Sequence, residues 1–393
     1  MHNQPATPDF DVWPVTHRIT AARAAGDAIH VNWCDGKSAA YHKFMLRENS
    51  TDPVSLNPLS RESNITPLDI PEDLTARDIK VLDDSTLQIT WSDDHTVSHY
   101  HPGWLRAHGW FDGTQEPDTI VRWTGEEYPT PPTFNGPAAL EDPGLFLNWL
   151  QALRDFGIAR LEGLPQNDGL LLEIVESIGT VRASNFGKTY TLDIKDVPDS
   201  NAFTSIPLPP HIDLPTRETP PGLQFLYCRE NSTTGGEGIY ADAYRVAEDM
   251  RREEPEHFEA LTEIDWRYNN RSAESDYQAT GPIIALDRAG NITGVRYNTW
   301  LRAPMTAPLD VQTRAYNAVR AYAQRTMRPE YQMTAIYRPG DLLAFDNRRA
   351  LHGRKAYDAK GGRRFIEGVY SDRDDLYSAI RIRERQVRQR RQR

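Results

Sequence analysis

The sequence predicts a mainly β protein with flanking helices, made of a small N-terminal β-rich part and a larger C-terminal part. Three observations lead there. Short alternating runs, each closed by a polar turn, fill the N-terminal part. A proline-rich charged stretch then interrupts any regular pattern. Beyond it, strand-like runs carry a His-x-Asp pair, His211 and Asp213, and a distant histidine, His352, that follows another buried run.

Taken in order, residues 1–113 contain Ala28-Ile29-His30-Val31-Asn32-Trp33 and Thr86-Leu87-Gln88-Ile89-Thr90-Trp91, followed by the turns Cys34-Asp35-Gly36-Lys37 and Ser92-Asp93-Asp94-His95. Strand-then-hairpin chemistry of this kind predicts a small all-β domain. Its tryptophans, Trp33, Trp91, Trp104 and Trp110, are expected in its core or at the seam with its neighbour. Residues 114–136, with Pro117, Pro129, Pro131, Pro132 and Gly136, read as a linker. The third part, 137–393, opens with a helix over 140–157, where Leu145, Leu147, Leu150, Leu153 and Phe156 recur at roughly helical spacing. A strand at 158–164 and a helix at 170–178 follow. Residues 225–228 and 238–242 read as strands joined through Gly235-Gly236. Helices are expected at 243–252, 255–262 and 310–327, covering a barrel face or forming a subunit contact. The basic run 381–393 reads as a frayed, solvated helix end.

His211 and Asp213 are two residues apart, so on an extended strand they face one way. Such a pair is unspecific alone. His352 supplies a third ligand and completes a two-histidine, one-carboxylate face, which suits non-haem Fe(II) with open positions. Twelve residues further, Arg364 opens a strand-like run. An arginine pointing into a barrel needs an anion, and its planar fork fits a carboxylate.

Residues 185–382 resemble the gamma-butyrobetaine hydroxylases and their relative trimethyllysine dioxygenase, within the taurine-dioxygenase-like Fe(II)/2-oxoglutarate oxygenases. The matching stretches are 199–205 (Asp199 to Ser205), 211–215, Pro221-Gly222-Leu223-Gln224-Phe225-Leu226, Thr234-Gly235-Gly236, 345–348 with His352-Gly353-Arg354, and Glu367-Gly368-Val369-Tyr370. The resemblance implies a double-stranded β-helix (jelly-roll) catalytic domain. It implies Fe(II) on His211, Asp213 and His352, and 2-oxoglutarate held by Arg364 with Leu226 in the same pocket. Dioxygen is the co-reactant and ascorbate a stimulant. Phe186, Tyr190, Phe203 and Tyr370 fall on the family's cage positions for a quaternary ammonium, and Ser200, Asn201, Asn298 and Arg302 are candidates for the substrate's anionic end. Leu214 stands where some relatives have a tyrosine, so carboxylate and phosphonate both remain open. Gamma-butyrobetaine to carnitine is the default reaction, with 2-(trimethylammonio)ethylphosphonate and trimethyllysine as alternatives. A non-catalytic quaternary-amine sensor or carrier is the reading from another class, and the triad together with Arg364 weighs against it.

The resemblance extends to 42–49 and to Trp104-Leu105-Arg106. Some relatives follow the first with a cysteine cluster that holds zinc, whereas residues 50–56 here read Ser-Thr-Asp-Pro-Val-Ser-Leu. Without thiolates a structural zinc site is not expected. His95, His99, His101 and His108 then read as surface and core polarity. The net charge of −11 argues against a broad nucleic-acid surface. Two distant cysteines, Cys34 and Cys228, suggest no disulfide framework. No run of about 18 apolar residues is present, and Met1-His2-Asn3-Gln4-Pro5 lacks a leader signature. A cytoplasmic homodimer without membrane or nucleic-acid partners is expected.

Overall fold

The structure, a computed structural model, describes residues 13–93, 97–111, 119–193, 204–358 and 361–392. It divides into two compact units, Met1–Asp118 and Thr119–Arg393.

In the first unit the alternating runs form two three-stranded antiparallel sheets. One joins Ile19–Ala25, Ala28–Trp33 and Ser38–His42, the other Ala76–Val81, Leu87–Trp91 and Val97–Tyr100. Alternate residues of Ala28–Trp33 and of Leu87–Trp91 are buried, as a one-sided sheet requires. Trp33, Trp91 and Trp104 join the shared core. Trp110 departs from that expectation, being 81% exposed. Where the cysteine cluster is missing, polar side chains close the turn: Arg47 donates to Asp93 at 2.7 Å and to Ser55 at 2.5 Å, and Ser50 Oγ meets Ser98 Oγ at 2.6 Å. His108 lies against Trp104, its Nδ1 donating to the Trp104 carbonyl at 2.8 Å. His95 lies outside the described residues.

The second unit is a double-stranded β-helix. A six-stranded sheet runs in the order Thr133–Asn135, Ile158–Glu162, Leu342–Asp346, Leu223–Asn231, Arg364–Ser371, Thr189–Leu192. A four-stranded sheet runs Leu208–His211, Ala350–Arg354, Gly238–Asp242, Gln332–Ala335. Successive strands such as Leu342–Asp346 and Ala350–Arg354 fall in opposite sheets, the jelly-roll pattern. Leu226, Cys228, Leu343, Phe345 and Ile366 of one sheet meet Tyr240, Met333, Ala335 and Ala350 of the other in a common core. The residues between them, Phe225, Tyr227, Leu342 and Ala344, face outward onto helices Pro143–Phe156, Leu170–Glu176 and the start of Arg373–Gln392. Helices Ala243–Glu253, Pro255–Glu263 and Leu309–Thr326 cover the four-stranded sheet through Ala241 and Leu351. Pro143–Phe156 forms where the leucine spacing predicts a helix. Asp142 caps its first turn by accepting from the Gly144 N–H at 2.7 Å, and Gly157 at φ 70° ends it.

Residues 119–136, read as a linker, pack within this unit. The prolines break regular structure there without preventing packing. Trp123 is fully buried with its indole N–H donating to the Phe156 carbonyl at 2.7 Å, and Thr133–Asn135 pairs in parallel with Ile158–Glu162. The C-terminal basic run stays helical through Gln392, because Leu376, Ala379 and Ile380 anchor the start of that helix in the core.

Candidate active site

His211 ends its strand directly opposite His352, with ring centroids 4.3 Å apart. Asp213 is not on that strand, contrary to the reading from spacing. The strand stops at His211 and the chain turns, with Leu214 at φ 52°. The turn is fixed from a distant segment. Asn347 Oδ1 accepts the Asp213 N–H at 2.8 Å, and its amide donates to the Asp213 and Pro221 carbonyls at 3.0 Å each. This places Asp213 Oδ1 at 3.4 Å from His211 Nε2 and 3.5 Å from His352 Nε2. One ligand atom from each of the three residues lies within 4.8 Å of the others.

Two of the three ligands are oriented by hydrogen bonds, and His352 Nδ1 has no partner among the described residues. His211 Nδ1 sits 2.9 Å from the Pro209 carbonyl, which can only accept, so the proton is on Nδ1 and Nε2 is free to ligate. Asp213 Oδ2 accepts from the Tyr370 hydroxyl at 2.7 Å and the Gln224 amide at 2.9 Å, leaving Oδ1 to the imidazoles. Burial opposes ionisation of Asp213, but the His352 and His211 rings facing it hold the carboxyl well below the usual range. Burial, with the neighbouring His211, lowers His352. A carboxylate with neutral imidazoles is the form that binds a divalent cation, and this donor set fits iron(II).

The two-residue period of Arg364–Ser371 puts Arg364, Ile366, Gly368 and Tyr370 on one face, with Ile366 in the core between the sheets. Arg364 is 5% exposed; its Nε has no hydrogen-bond partner, and it makes no ion pair among the described residues. Tyr337 and Tyr357 stand 5.8 and 5.7 Å from the guanidinium by ring centroid. Arg354 shares the region, donating to the Thr204 and Ile206 carbonyls. Burial and the Arg364 charge push Arg354 down to about 10. Burial likewise raises the Cys228 thiol to about 12. A buried guanidinium without an acid is costly, and a dicarboxylate such as 2-oxoglutarate fits it. Leu226 lies in the core beside this region.

Tyr190 stacks on Tyr370 at 5.0 Å, and Phe186, 38% exposed, lies 6.1 Å from Tyr190. Gly368 makes this possible, since a Cβ there would stand 2.2 Å from the Tyr190 ring. Ser200, Asn201 and Phe203 lie outside the described residues. Asn298 is turned to the backbone: its amide donates to the Ile212 carbonyl at 3.2 Å, and its Oδ1 accepts from Trp300 and Leu301 N–H. Arg302 lies over Trp266, 4.4 Å from its ring, and lines a cavity with Tyr297, Thr299 and Tyr316 to which no triad residue contributes. Gln224, Asn347, Trp300 and Arg354 were not singled out from the sequence. A signal existed for Gln224, a polar residue in register with the inward Leu226 and Cys228. None existed for Trp300, whose ring centroid is 4.5 Å from that of His211.

Two family models match the chain. The taurine catabolism dioxygenase TauD, TfdA family matches residues 124–370. The gamma-butyrobetaine hydroxylase-like N-terminal family matches residues 20–106. Gamma-butyrobetaine dioxygenase of Pseudomonas sp. (strain AK-1) is 36% identical, covering 97% of this chain and 100% of its own length. The Homo sapiens gamma-butyrobetaine dioxygenase is 26% identical over 90% of this chain and 94% of its own. Mitochondrial trimethyllysine dioxygenase of Bos taurus is 28% identical over 77% of this chain and 73% of its own.

Proposed function

Since the chain belongs to the taurine catabolism dioxygenase TauD, TfdA family, we propose that it is an iron(II)- and 2-oxoglutarate-dependent dioxygenase that hydroxylates a small trimethylammonium zwitterion, with gamma-butyrobetaine as its substrate. One observation carries the reading. A two-histidine, one-carboxylate face sits in the same barrel as a buried arginine that pairs with no acid among the described residues, and beside a stacked tyrosine pair.

His211, Asp213 and His352 hold the iron, and Arg364 holds the far carboxylate of the oxo acid. Bound there, the iron, the oxo acid and dioxygen would supply the oxidising power to put oxygen into an unactivated C–H bond. The chain's own contribution is orientation. Tyr370 and Gln224 fix the Asp213 carboxylate, and Asn347 fixes its backbone. Tyr190 and Tyr370 present ring faces to a cation that cannot donate hydrogen bonds, an attraction of roughly 2 kcal/mol when desolvated. Tyr370 thus ties the metal ligand to the cation wall, which sets the substrate carbon against the metal face.

The test is a parallel assay of gamma-butyrobetaine, trimethyllysine, 2-(trimethylammonio)ethylphosphonate and 2-aminoethylphosphonate, following succinate and hydroxylated product. Gamma-butyrobetaine is expected to give the highest kcat/KM. Preference for the primary amine would reject the cage, and preference for the phosphonate would keep the cage and overturn the carboxylate.

A further inference from the structure

We infer that Trp300 determines which trimethylammonium compounds the site admits, closing the space beside His211 against longer substrates. The inference rests on the substrate reading above and adds a residue to it.

Trp300 stands in a segment held on both flanks. Ahead of it, Arg296 donates to the carbonyls of Pro215, Arg217 and Glu218, all in the loop after Asp213. The Tyr297 carbonyl accepts the Ile212 N–H at 2.8 Å. The buried Asn298 bridges the Ile212 carbonyl and the N–H groups of Trp300 and Leu301. Beyond it, the Leu301 carbonyl accepts from Asn269 at 2.9 Å and Ala303 N–H reaches the Arg267 carbonyl at 2.8 Å. The backbone around the indole is therefore as fixed as the metal-ligand loop to which it is bonded.

On that support the indole stays 37% exposed while its ring centroid stands 4.5 Å from that of His211, the two planes tilted by 58°. His211 is consequently bracketed by two rings, His352 on one contact and Trp300 on the other. Neighbouring side chains of the segment, Tyr297 and Thr299, line a different cavity with Arg302, so Trp300 is the bulky side chain that the segment sets beside a metal ligand. Rings thus bound the triad at two ligands, Tyr190 and Tyr370 at Asp213, Trp300 at His211. A substrate cation held at the first pair projects its chain along the metal face, and a large rigid ring at the other ligand limits the length of that chain. The competing role, shielding His211 alone, predicts a change in iron affinity with no change in substrate preference.

The experiment uses iron-loaded full-length enzyme as wild type, Trp300→Ala and Trp300→Phe, assayed in parallel with gamma-butyrobetaine and trimethyllysine. Indole emission is recorded in addition while gamma-butyrobetaine is titrated into the anaerobic enzyme. Trp300→Ala should raise the ratio of kcat/KM for trimethyllysine over gamma-butyrobetaine by about tenfold or more, the scale on which pocket size discriminates. Trp300→Phe, which keeps a ring, should restore the ratio to within about threefold of wild type and should lose most of the substrate-dependent emission change. An unchanged ratio in Trp300→Ala overturns the inference, whether or not iron affinity falls. Wild type that turns over neither compound would remove the substrate reading and this inference with it, whereas normal wild-type turnover with an unchanged ratio removes this inference alone.

Discussion

The metal face and the arginine pocket lie in one barrel and are finished to different degrees. At the metal face most outward atoms are engaged, His211 Nδ1 with the Pro209 carbonyl, Asp213 Oδ2 with Tyr370 and Gln224, and the Asp213 backbone with Asn347, while His352 Nδ1 has no hydrogen-bond partner among the described residues. In the arginine pocket Arg364 keeps an unpartnered Nε and has no acid among the described residues, beside the second guanidinium of Arg354. The difference follows from who supplies the negative charge. The chain provides its own carboxylate to a metal, so that carboxylate must be aimed in advance. On the proposed function the cosubstrate would bring the carboxylate to Arg364, which would account for a buried positive charge that no acid among the described residues compensates.

Breaking each side should therefore have different consequences. Asp213→Ala is expected to lower turnover by about a thousandfold or more, since it removes the only anionic ligand and leaves two imidazoles that hold iron(II) weakly. Metal analysis beside circular dichroism checks this, and full iron occupancy with normal turnover would refute the ligand assignment. Arg364→Leu should weaken 2-oxoglutarate by about a hundredfold, the loss of a charge-assisted bidentate contact. It should also stabilise the ligand-free protein by about 1–3 kcal/mol, because an uncompensated buried cation is replaced by an apolar side chain. Denaturant titration with and without 2-oxoglutarate reads both effects. A ligand-free Arg364→Leu protein less stable than wild type would mean that Arg364 already has its anion within the chain, and the contrast drawn here would fail.

The same contrast explains what could be read from the sequence. His211, Asp213 and His352, which the structure brings together, were legible because their residue types and order carry the chemistry, and strand-like runs at 225–228, 340–347 and 364–370 were readable one by one, whereas the barrel that joins them came from the family resemblance. What positions the three ligands was not legible. Asp213 reaches the face through a turn held by Asn347, 134 residues away, and through a positive φ at Leu214 that a leucine does not advertise. Asn298, in a segment resembling the family, and Arg302 were candidates for the substrate's anion, in an irregular stretch where no two-residue period says which way a side chain points. The structure engages the first with the backbone and lays the second over Trp266. Proline content over 119–136 signalled irregular backbone and was silent on packing, which the buried Trp123 decides.

Tyr370 offers the finest test, because it belongs to both the metal face and the cation wall. Its hydroxyl is held well above its ordinary value by burial and by the adjacent Asp213 charge, so it stays protonated and donates to Asp213 throughout the working pH range. Tyr370→Phe removes that donor and keeps the ring stacked on Tyr190. Outer partners of metal ligands contribute about ten- to a hundredfold in metal affinity. With Gln224 still holding Asp213 Oδ2, the expected loss of iron affinity is at the lower end, about tenfold. The cation wall depends on the ring face and not on the hydroxyl, so KM for gamma-butyrobetaine measured at saturating iron should stay within about threefold of wild type. A large rise in that KM with unchanged iron affinity would reverse the assignment, making the hydroxyl part of substrate recognition and leaving Gln224 alone to orient the carboxylate.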